Sequence, residues 1–531
     1  MTDLVHQLIL EAAARAPQAE ALCYQGQRMS YAELAQQTQQ VGQALLTLGV
    51  QRSDRVAVYL EKRFETVLAM FGASAAGAAF VPVNPLLKAE QLIYILNDCQ
   101  VKILVTSAQR LAVVLPLLSE CPSLKGVIVV GGDSSTAIAS GSHFQLVHWE
   151  ALEQLHDART PHCCIDRDIV AILYTSGSTG QPKGVVLSHR NLLAGAQSVA
   201  HYLENTADDR VLCVLPLSFD YGLSQLTTVF LTGGTAVLLN YLLPRDILDA
   251  VKQERITGLA AVPPLWIQLA ALDWSGATSL RYLTNSGGVM QRSTLDILRR
   301  NLPDAKIYLM YGLTEAFRST FLPPEQLDRR PDSIGRAIPN AEVLVLRPDG
   351  SECDAEEPGE LVHRGALVAL GYWNDAEKTA ERFKPLPLQL QNSSLPLPEI
   401  AVWSGDIVRK DAEGYLYFLG RTDELIKVSG YRVSPTEIEQ VICTMDGVSE
   451  FAAVGVAHPV LGQAIVAIVK QNSNLTAETL RQQCQRRLPA YMVPMHIVVE
   501  TEALPRNANG KIDRKALQRR FAHIFNTEFQ H

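Results

Sequence analysis

The sequence predicts an α/β protein: a large N-terminal domain of helix-covered mixed sheets with a β-rich subdomain, and a small α+β C-terminal domain. Three observations carry this. Apolar segments of helical and strand period alternate from the N-terminus to about residue 320, the pattern of parallel sheets covered by helices. After Ile334 short β-type segments separated by turn residues take over. From about Arg421 helix and strand patterns resume, and the charge balance changes sign. The expected boundaries are 1–420 for the core, with the β-rich part at about 335–420, and 421–531 for the small domain.

Along the first domain, Tyr31 to Leu48 has apolar residues at helical spacing, and Ser30 with Glu33 forms a capping box before it. Arg55 to Leu60 reads as a strand, Glu65 to Ala76 as a helix, and Ala79 to Val83 as a strand. Leu87 to Asn97 is a further helix and Val101 to Thr106 a further strand. In the β-rich part, Glu342 to Leu346, Gly359 to Arg364 and Tyr415 to Leu419 are strands, with turns at Pro348-Asp349-Gly350 and Glu413-Gly414. Between them, Lys384 to Ile400 is rich in Pro, Leu, Gln and Ser and reads as a surface insertion or flexible loop. The small domain offers helices at Ser434 to Met445 and Ala477 to Arg487, and strands at Phe451 to Val456 and Ala464 to Lys470.

Composition narrows the function. Of 531 residues, 47% are hydrophobic and 19% charged, which is globular and leaves ample apolar surface for a core. A net charge of −8 argues against a nucleic-acid partner, which needs a basic footprint. The C-terminal 111 residues hold 13 Lys+Arg against 11 Asp+Glu, so the rest of the chain carries −10. That slight basicity suits a phosphate-bearing partner or an ordinary solvated surface. The longest apolar stretch, Val67 to Val83, is broken by Gly72, Ser74, Gly77 and Pro82 and reads as core, not as a membrane span. The N-terminus lacks the pattern of a signal peptide, and the nine cysteines have neither disulfide nor zinc spacing. A cytoplasmic location with reduced thiols is expected.

The strongest local signal is Tyr174 to Gly184, YTSGSTGQPKG, after the apolar strand Ile169 to Leu173. Gly177 and Gly180 let backbone N–H groups approach an anion. Thr175, Ser176, Ser178, Thr179 and Lys183 offer hydroxyls and a positive charge to phosphate. This is not a Walker A loop, because Lys183 precedes Gly184 and no G-K-[ST] occurs.

The loop resembles the phosphate loop of the AMP-forming adenylating superfamily, which includes acyl-CoA synthetases, peptide-synthetase adenylation domains and luciferases. Further motifs of that superfamily follow in order over nearly the whole chain. Met310 to Glu315, MYGLTE, is similar to its Y-G-x-T-E motif. The resemblance implies that Tyr311 and Gly312 border adenine, Thr314 contacts phosphate, and Glu315 helps hold Mg²⁺. Asn285 to Gly288, NSGG, stands where relatives line the adenine and acyl pockets, so Gly287 is expected at the nucleotide. Trp403 to Asp406, WSGD, resembles T-G-D, whose aspartate, here Asp406, accepts bonds from the ribose. Gly359 to Arg364 and Gly371-Tyr372-Trp373 match structural motifs of the β-subdomain. Gly420 to Arg432, GRTDELIKVSGYR, resembles the hinge: Arg421 at the ribose, Asp423 as pivot, Lys427 and Gly430 along the thiol's path. Pro505 to Lys511 precedes the C-terminal lysine, here Lys511, expected at the acyl carboxylate and α-phosphate. The small domain is then a mobile lid, ATP and Mg²⁺ are required, and CoA or a carrier-protein phosphopantetheine accepts the acyl group.

The same carry-over gives an acyl pocket of Asp220, Tyr221, Ser224, Ala261, Thr284, Ser286, Met310, Arg318 and Ser319, small and polar. Where relatives that bind fatty or aromatic acids often have a histidine, this chain has Phe219, followed by Asp220. Amino-acid adenylation domains place an aspartate here to pair with the substrate ammonium, and a buried carboxylate needs such a partner. Asp220 capping a helix is the competing reading. Arg318 would bind a second carboxylate or polar group, or face the phosphate side or solvent.

The expected function is an ATP-dependent, AMP-forming ligase that adenylates a small carboxylic acid, an amino acid, and passes it to a pantetheine thiol. The chain resembles stand-alone ligases that load a small amino acid onto a carrier protein, and acyl-CoA ligase-type proteins associated with exosortase systems. No D-S-L type phosphopantetheine site follows Lys511, so a separate carrier protein or free CoA is the expected acceptor. The alternatives are an ordinary acyl-CoA synthetase for a small non-amino acid, and a non-enzymatic nucleotide-binding scaffold.

Overall fold

A computed structural model describes residues 2–132, 143–155, 161–175, 182–391, 397–422, 426–428, 431–445, 447–458, 461–471, 476–488, 490–507 and 510–525. The chain forms two compact units, residues 1–343 with 363–402, and residues 344–362 with 403–531.

The first unit is built on two large, mainly parallel sheets with helices, as the alternation requires. In one, Lys306–Tyr311, Tyr282–Asn285, Gly258–Ala261, Arg210–Cys213, Thr235–Leu238 and Glu20–Tyr24 run parallel side by side. Antiparallel strands Thr320–Leu322 and Gln27–Ser30 flank this run. In the other, Ile169–Thr175, Ala79–Pro82, Arg55–Tyr59, Ile103–Ser107, Gly126–Val130 and Gln145–His148 are parallel neighbours. Their interiors are near-continuous Val, Ile, Leu and Ala, as strands buried on both faces demand.

Local chemistry sets the helices. Ser30 accepts from the Glu33 amide while Glu33 reaches back to Ser30, which starts helix Tyr31–Thr47. Ser188 and Asn191 make the same reciprocal pair at helix His189–Tyr202. The Asn191 amide then donates to the carbonyls of Ala366 and Val368. Helix Asp220–Thr232 lies against the loop before it because Gly222 has no side chain: a Cβ there would sit 2.1 Å from the Pro216 oxygen.

In the second unit, strands Tyr431–Val433, Ile426–Val428, Gly462–Gln471 and Val448–His458 form an antiparallel sheet, and His496–Glu500 adds in parallel. Ile438, Ile465, Val469 and Leu480 form the core between this sheet and helices Pro435–Ile442 and Ala477–Arg487. Strands Ala341–Leu346, Gly359–Gly365, Ile400–Lys410 and Leu416–Arg421 fall in the span read as β-rich. The segment read as a surface insertion begins as structure: Phe383–Pro385 pairs with Ile400–Lys410, and Leu388–Leu390 is a short 3₁₀ turn. None of the nine cysteines is in a disulfide. Among the described residues no helix is long and apolar enough to cross a membrane.

Candidate active site

In the first unit the two ends of the Gly- and hydroxyl-rich segment lie on paired strands. Strands Ile169–Thr175 and Lys183–Ser188 are antiparallel, with Tyr174 opposite Gly184 and Thr175 opposite Lys183. Ser176, Gly177, Ser178, Thr179 and Gly180 lie outside the described residues. Gly184 is required by packing, since a Cβ there would stand 2.8 Å from Ile172 and 3.1 Å from the Tyr174 ring.

The short strand Gly371–Tyr372 adds to the edge of Lys183–Ser188, with Tyr372 opposite Val185. That register puts the Tyr372 ring under the Lys183 ammonium, 5.2 Å from its centroid. The Tyr372 hydroxyl donates to Glu315 Oε1 at 2.6 Å. Lys183, Tyr372 and Glu315 thus form one group, with the aromatic ring between two opposite charges. Partial burial lowers the proton affinity of the Lys183 amine, and Lys378 and Arg382 add to this against Glu315. The amide of Ala369 holds the Glu315 carbonyl at 2.9 Å.

Glu315 follows the end of a central strand. Lys306–Tyr311 runs out through Gly312 into a 3₁₀ turn, Thr314–Ala316, and returns antiparallel as Thr320–Leu322. The reversal is made at Phe317, which has φ +56° although it is not glycine. Its ring is fully buried against Gly195 of helix His189–Tyr202. Tyr311, Gly312, Thr314 and Glu315 are half-buried before this turn, while Arg318 and Ser319 are buried after it.

Beneath this segment lies a cavity of about 30 Å³ lined by Tyr221, Ser224, Thr284, Met310, Arg318 and neighbours. Five of the nine carried-over pocket residues therefore meet around one space. Tyr221 and Thr284 share a hydrogen bond of 2.6 Å, and the Trp266 indole donates to the Thr284 carbonyl at 3.1 Å. Of the other four, Ala261 is replaced in the lining by Ala260. Asp220 is half-buried at the first position of helix Asp220–Thr232, whose start has no side-chain cap from Phe219. Ser286 is buried just past strand Tyr282–Asn285, followed by Gly287 at φ +79°. The Ser319 hydroxyl turns to His363 Nδ1 at 2.9 Å. Burial lowers the His363 pKa to about 4.

In the second unit Asp406 and Arg421 are directly opposite on paired strands, with 3.2 Å between Nη1 and Oδ1. The neighbouring backbone is fixed by Gly405 N–H to Glu360 at 2.9 Å and by the Ser404 hydroxyl to the Leu361 carbonyl at 2.6 Å. Lys511 is exposed on a loop closed by Asn507, which bonds Lys511 through its own amide and through its side chain. Asp423 and Gly430 lie outside the described residues. Lys427 belongs to strand Ile426–Val428, opposite Arg432.

Residues 9–373 match the family described as AMP-binding enzyme, and residues 437–511 match its C-terminal domain. The chain belongs to the AMP-binding enzyme family. It is thus an enzyme of the AMP-forming ligase superfamily. A linear gramicidin synthase of Brevibacillus parabrevis is 32% identical over 97% of this chain. Tyrocidine synthase 1 of the same organism is 28% identical over 97%. The chain spans only 6% and 44% of those two proteins. Among solved structures, the anthranilate CoA ligase AuaEII with anthranoyl-AMP aligns at 25% identity and TM-score 0.86, covering 98% of this chain and 97% of that one. ATP-bound MatB from Rhodopseudomonas palustris, at 24% identity and TM-score 0.85 over 99% and 100% of the two chains, shares the fold.

The sequence motifs led to Lys183 and Glu315 separately. They did not assign Tyr372, which joins the two. An aromatic residue in a Gly-Tyr-Trp string beside a family motif was the available signal.

Proposed function

We propose that this protein adenylates a small carboxylic acid, an amino acid, with Mg·ATP and transfers the acyl group to a pantetheine thiol of a separate carrier protein or of CoA. The observation that carries this reading is the size and place of the cavity. At about 30 Å³ it is far below the few hundred Å³ of an ordinary ligand pocket, which favours the short end of a small acid over a long acyl chain. It adjoins the ends of parallel strands, next to the segment bearing Thr314 and Glu315.

In the first half-reaction the substrate carboxylate would attack the α-phosphate of ATP and pyrophosphate would leave. Lys183, Thr175 and the Ser176–Gly180 loop would hold the phosphates, Gly287, Tyr311 and Gly312 the adenine, and Asp406 and Arg421 the ribose. Lys511 would offset charge on the in-line oxygens, a role of positioning and electrostatics. Among the described residues no three His, Cys, Asp or Glu side chains cluster to hold a metal by themselves. A single carboxylate held by a neighbour's hydroxyl fits Mg²⁺ bound chiefly by phosphate oxygens, so Glu315, fixed by Tyr372, would be its protein ligand. The ion would neutralise phosphate charge. Asp220 would receive the substrate ammonium. The thiol would then displace AMP, with Asp423 as pivot and Lys427 and Gly430 on its path.

ATP–pyrophosphate exchange with a panel of amino acids and plain acids tests the reading. Exchange with amine-bearing acids supports it, and loss of that exchange in Asp220→Asn places the ammonium. Exchange with plain acids alone sinks the amino-acid part and favours a small-acid CoA synthetase. The likeness to the anthranilate CoA ligase supports CoA as the acceptor, and does not bear on whether the acid carries an amine. Turnover with free CoA against a pantetheinylated protein distinguishes the acceptors.

A further inference from the structure

Arg318 is the cationic side chain in the lining of the cavity, and no carboxylate stands in that lining among the described residues. Only 3% of its surface is exposed, and its Nε is buried without a hydrogen-bond acceptor. Its guanidinium lies 4.5 Å from the Tyr221 ring centroid, a contact that steadies the charge without neutralising it. Elsewhere the same fold pairs its buried charges. Asp209, 3% exposed, meets Arg281 at 2.8 Å, and Glu439, 8% exposed, meets Arg514 at 2.7 Å. A guanidinium taken out of water with no counter-charge is unfavourable, and an anion that enters beside it removes that penalty.

We propose that the acid activated by this protein carries a second carboxylate, and that Arg318 binds it. This rests on reading the cavity as the far end of the acyl pocket. The space is small, on the order of a few water molecules, which suits one carboxylate group. Thr228 Oγ1, also in the lining and buried without a partner, is a donor for the same anion. Gln225 Oε1, the remaining unsatisfied lining atom, is an acceptor and suits a water beside the anion. A planar guanidinium holds a carboxylate through two parallel N–H···O bonds, which a lysine cannot reproduce. The substrate class is therefore a short dicarboxylic acid. With an ammonium at Asp220 it is an acidic amino acid; without one it is a simple diacid.

The test compares each diacid with its own monoamide: aspartate with asparagine, glutamate with glutamine, and succinate with succinamate. Exchange kinetics and thermal unfolding with ATP are measured for wild type, Arg318→Met and Arg318→Lys. Wild type should use one diacid at least about a hundredfold better than its monoamide in kcat/KM, the scale of leaving a buried charge unpaired. Arg318→Met should bring that ratio near one, and Arg318→Lys should restore only part of it. The same diacid should raise the Tm of wild type and not of Arg318→Met. The amino and simple pairs distinguish the two kinds of diacid. A wild-type preference for monoamides or for neutral acids overturns the proposal and leaves acid activation standing. An unchanged ratio in Arg318→Met also overturns it. Absence of exchange with every acid overturns the activation reading and this proposal together. Should Arg318→Met fail to fold, the wild-type ratios and Tm shifts decide alone.

Discussion

Replacing Tyr372 by phenylalanine removes one oxygen from the group that joins Lys183 to Glu315. The lost bond is an O–H donor to a carboxylate at 2.6 Å. Hydrogen bonds to charged groups contribute about 1.5–3 kcal/mol, and Glu315 is half-exposed, so the lower end applies. About 1.5–2 kcal/mol corresponds to a loss of about ten- to thirtyfold in kcat/KM for Mg·ATP. The ring itself stays, packed edge-to-face on Phe383 at 5.6 Å and under Lys183. Stability should therefore change little, and Tyr372→Leu should cost about 0.5–1 kcal/mol more in nucleotide use through the lost cation–π contact. The assay is pyrophosphate exchange with ATP and Mg²⁺ varied separately at saturating acid, with Tm as control. Activity within twofold of wild type, or a defect confined to the acid's KM, would refute the argument that Tyr372 positions the magnesium carboxylate.

Three further outcomes are expected. His189 and His363 are deeply buried, and burial lowers their pKa values to about 3 and about 4. Below about pH 6.5 the unfolded chain takes up protons that the folded chain refuses, so stability falls as pH drops from 6.5 towards 4. Two such groups cost about 3 kcal/mol between pH 6.5 and 5, readable in urea melts, and His363→Gln should remove about half of what these two contribute. Gly195→Ala would put a Cβ 2.4 Å from the Phe317 ring, so Tm should fall by an amount equivalent to about 1–3 kcal/mol and exchange should fall with it. An unchanged Tm would mean that the ring moves aside freely. Lys511 is exposed, so Lys511→Ala should keep its Tm yet lose about a hundredfold or more of adenylation in single-turnover formation of acyl-AMP.

What could be read in advance depended on range along the chain. The capping box at Ser30 and Glu33 and the alternation behind the two parallel sheets are local patterns, and the structure follows them. The match of residues 9–373 to the AMP-binding enzymes agrees with motifs that are equally local. The joining of Glu315 to Tyr372 is not local: it spans 57 positions and depends on a two-residue strand docking at a sheet edge. The presence of Ala260 in the cavity lining where Ala261 was expected has a simple cause. Neighbours on a strand face opposite sides, so Ala260 and Ala261 do not both face that space. Ser319 was expected in the pocket from motif position, and nothing nearby in sequence announces the bond of its hydroxyl to His363, 44 positions away. The pairing of Phe383–Pro385 with Ile400–Lys410 was hidden for the same reason, since its Pro- and Leu-rich text shows no period.

The left-handed turn at Phe317 has a consequence for how such a protein can diversify. It divides one short stretch of chain into two faces: Tyr311 to Glu315 before it, Arg318 after it in the cavity wall. On the proposed reading of the cavity, a substitution at Arg318 would alter which acid is admitted and leave the segment before the turn in place. New substrates can then be sampled by single steps, provided the buried ring that anchors the turn is kept. Phe317 is accordingly the position where drift should be tolerated least, although its ring packs at Gly195 and is not in the cavity lining.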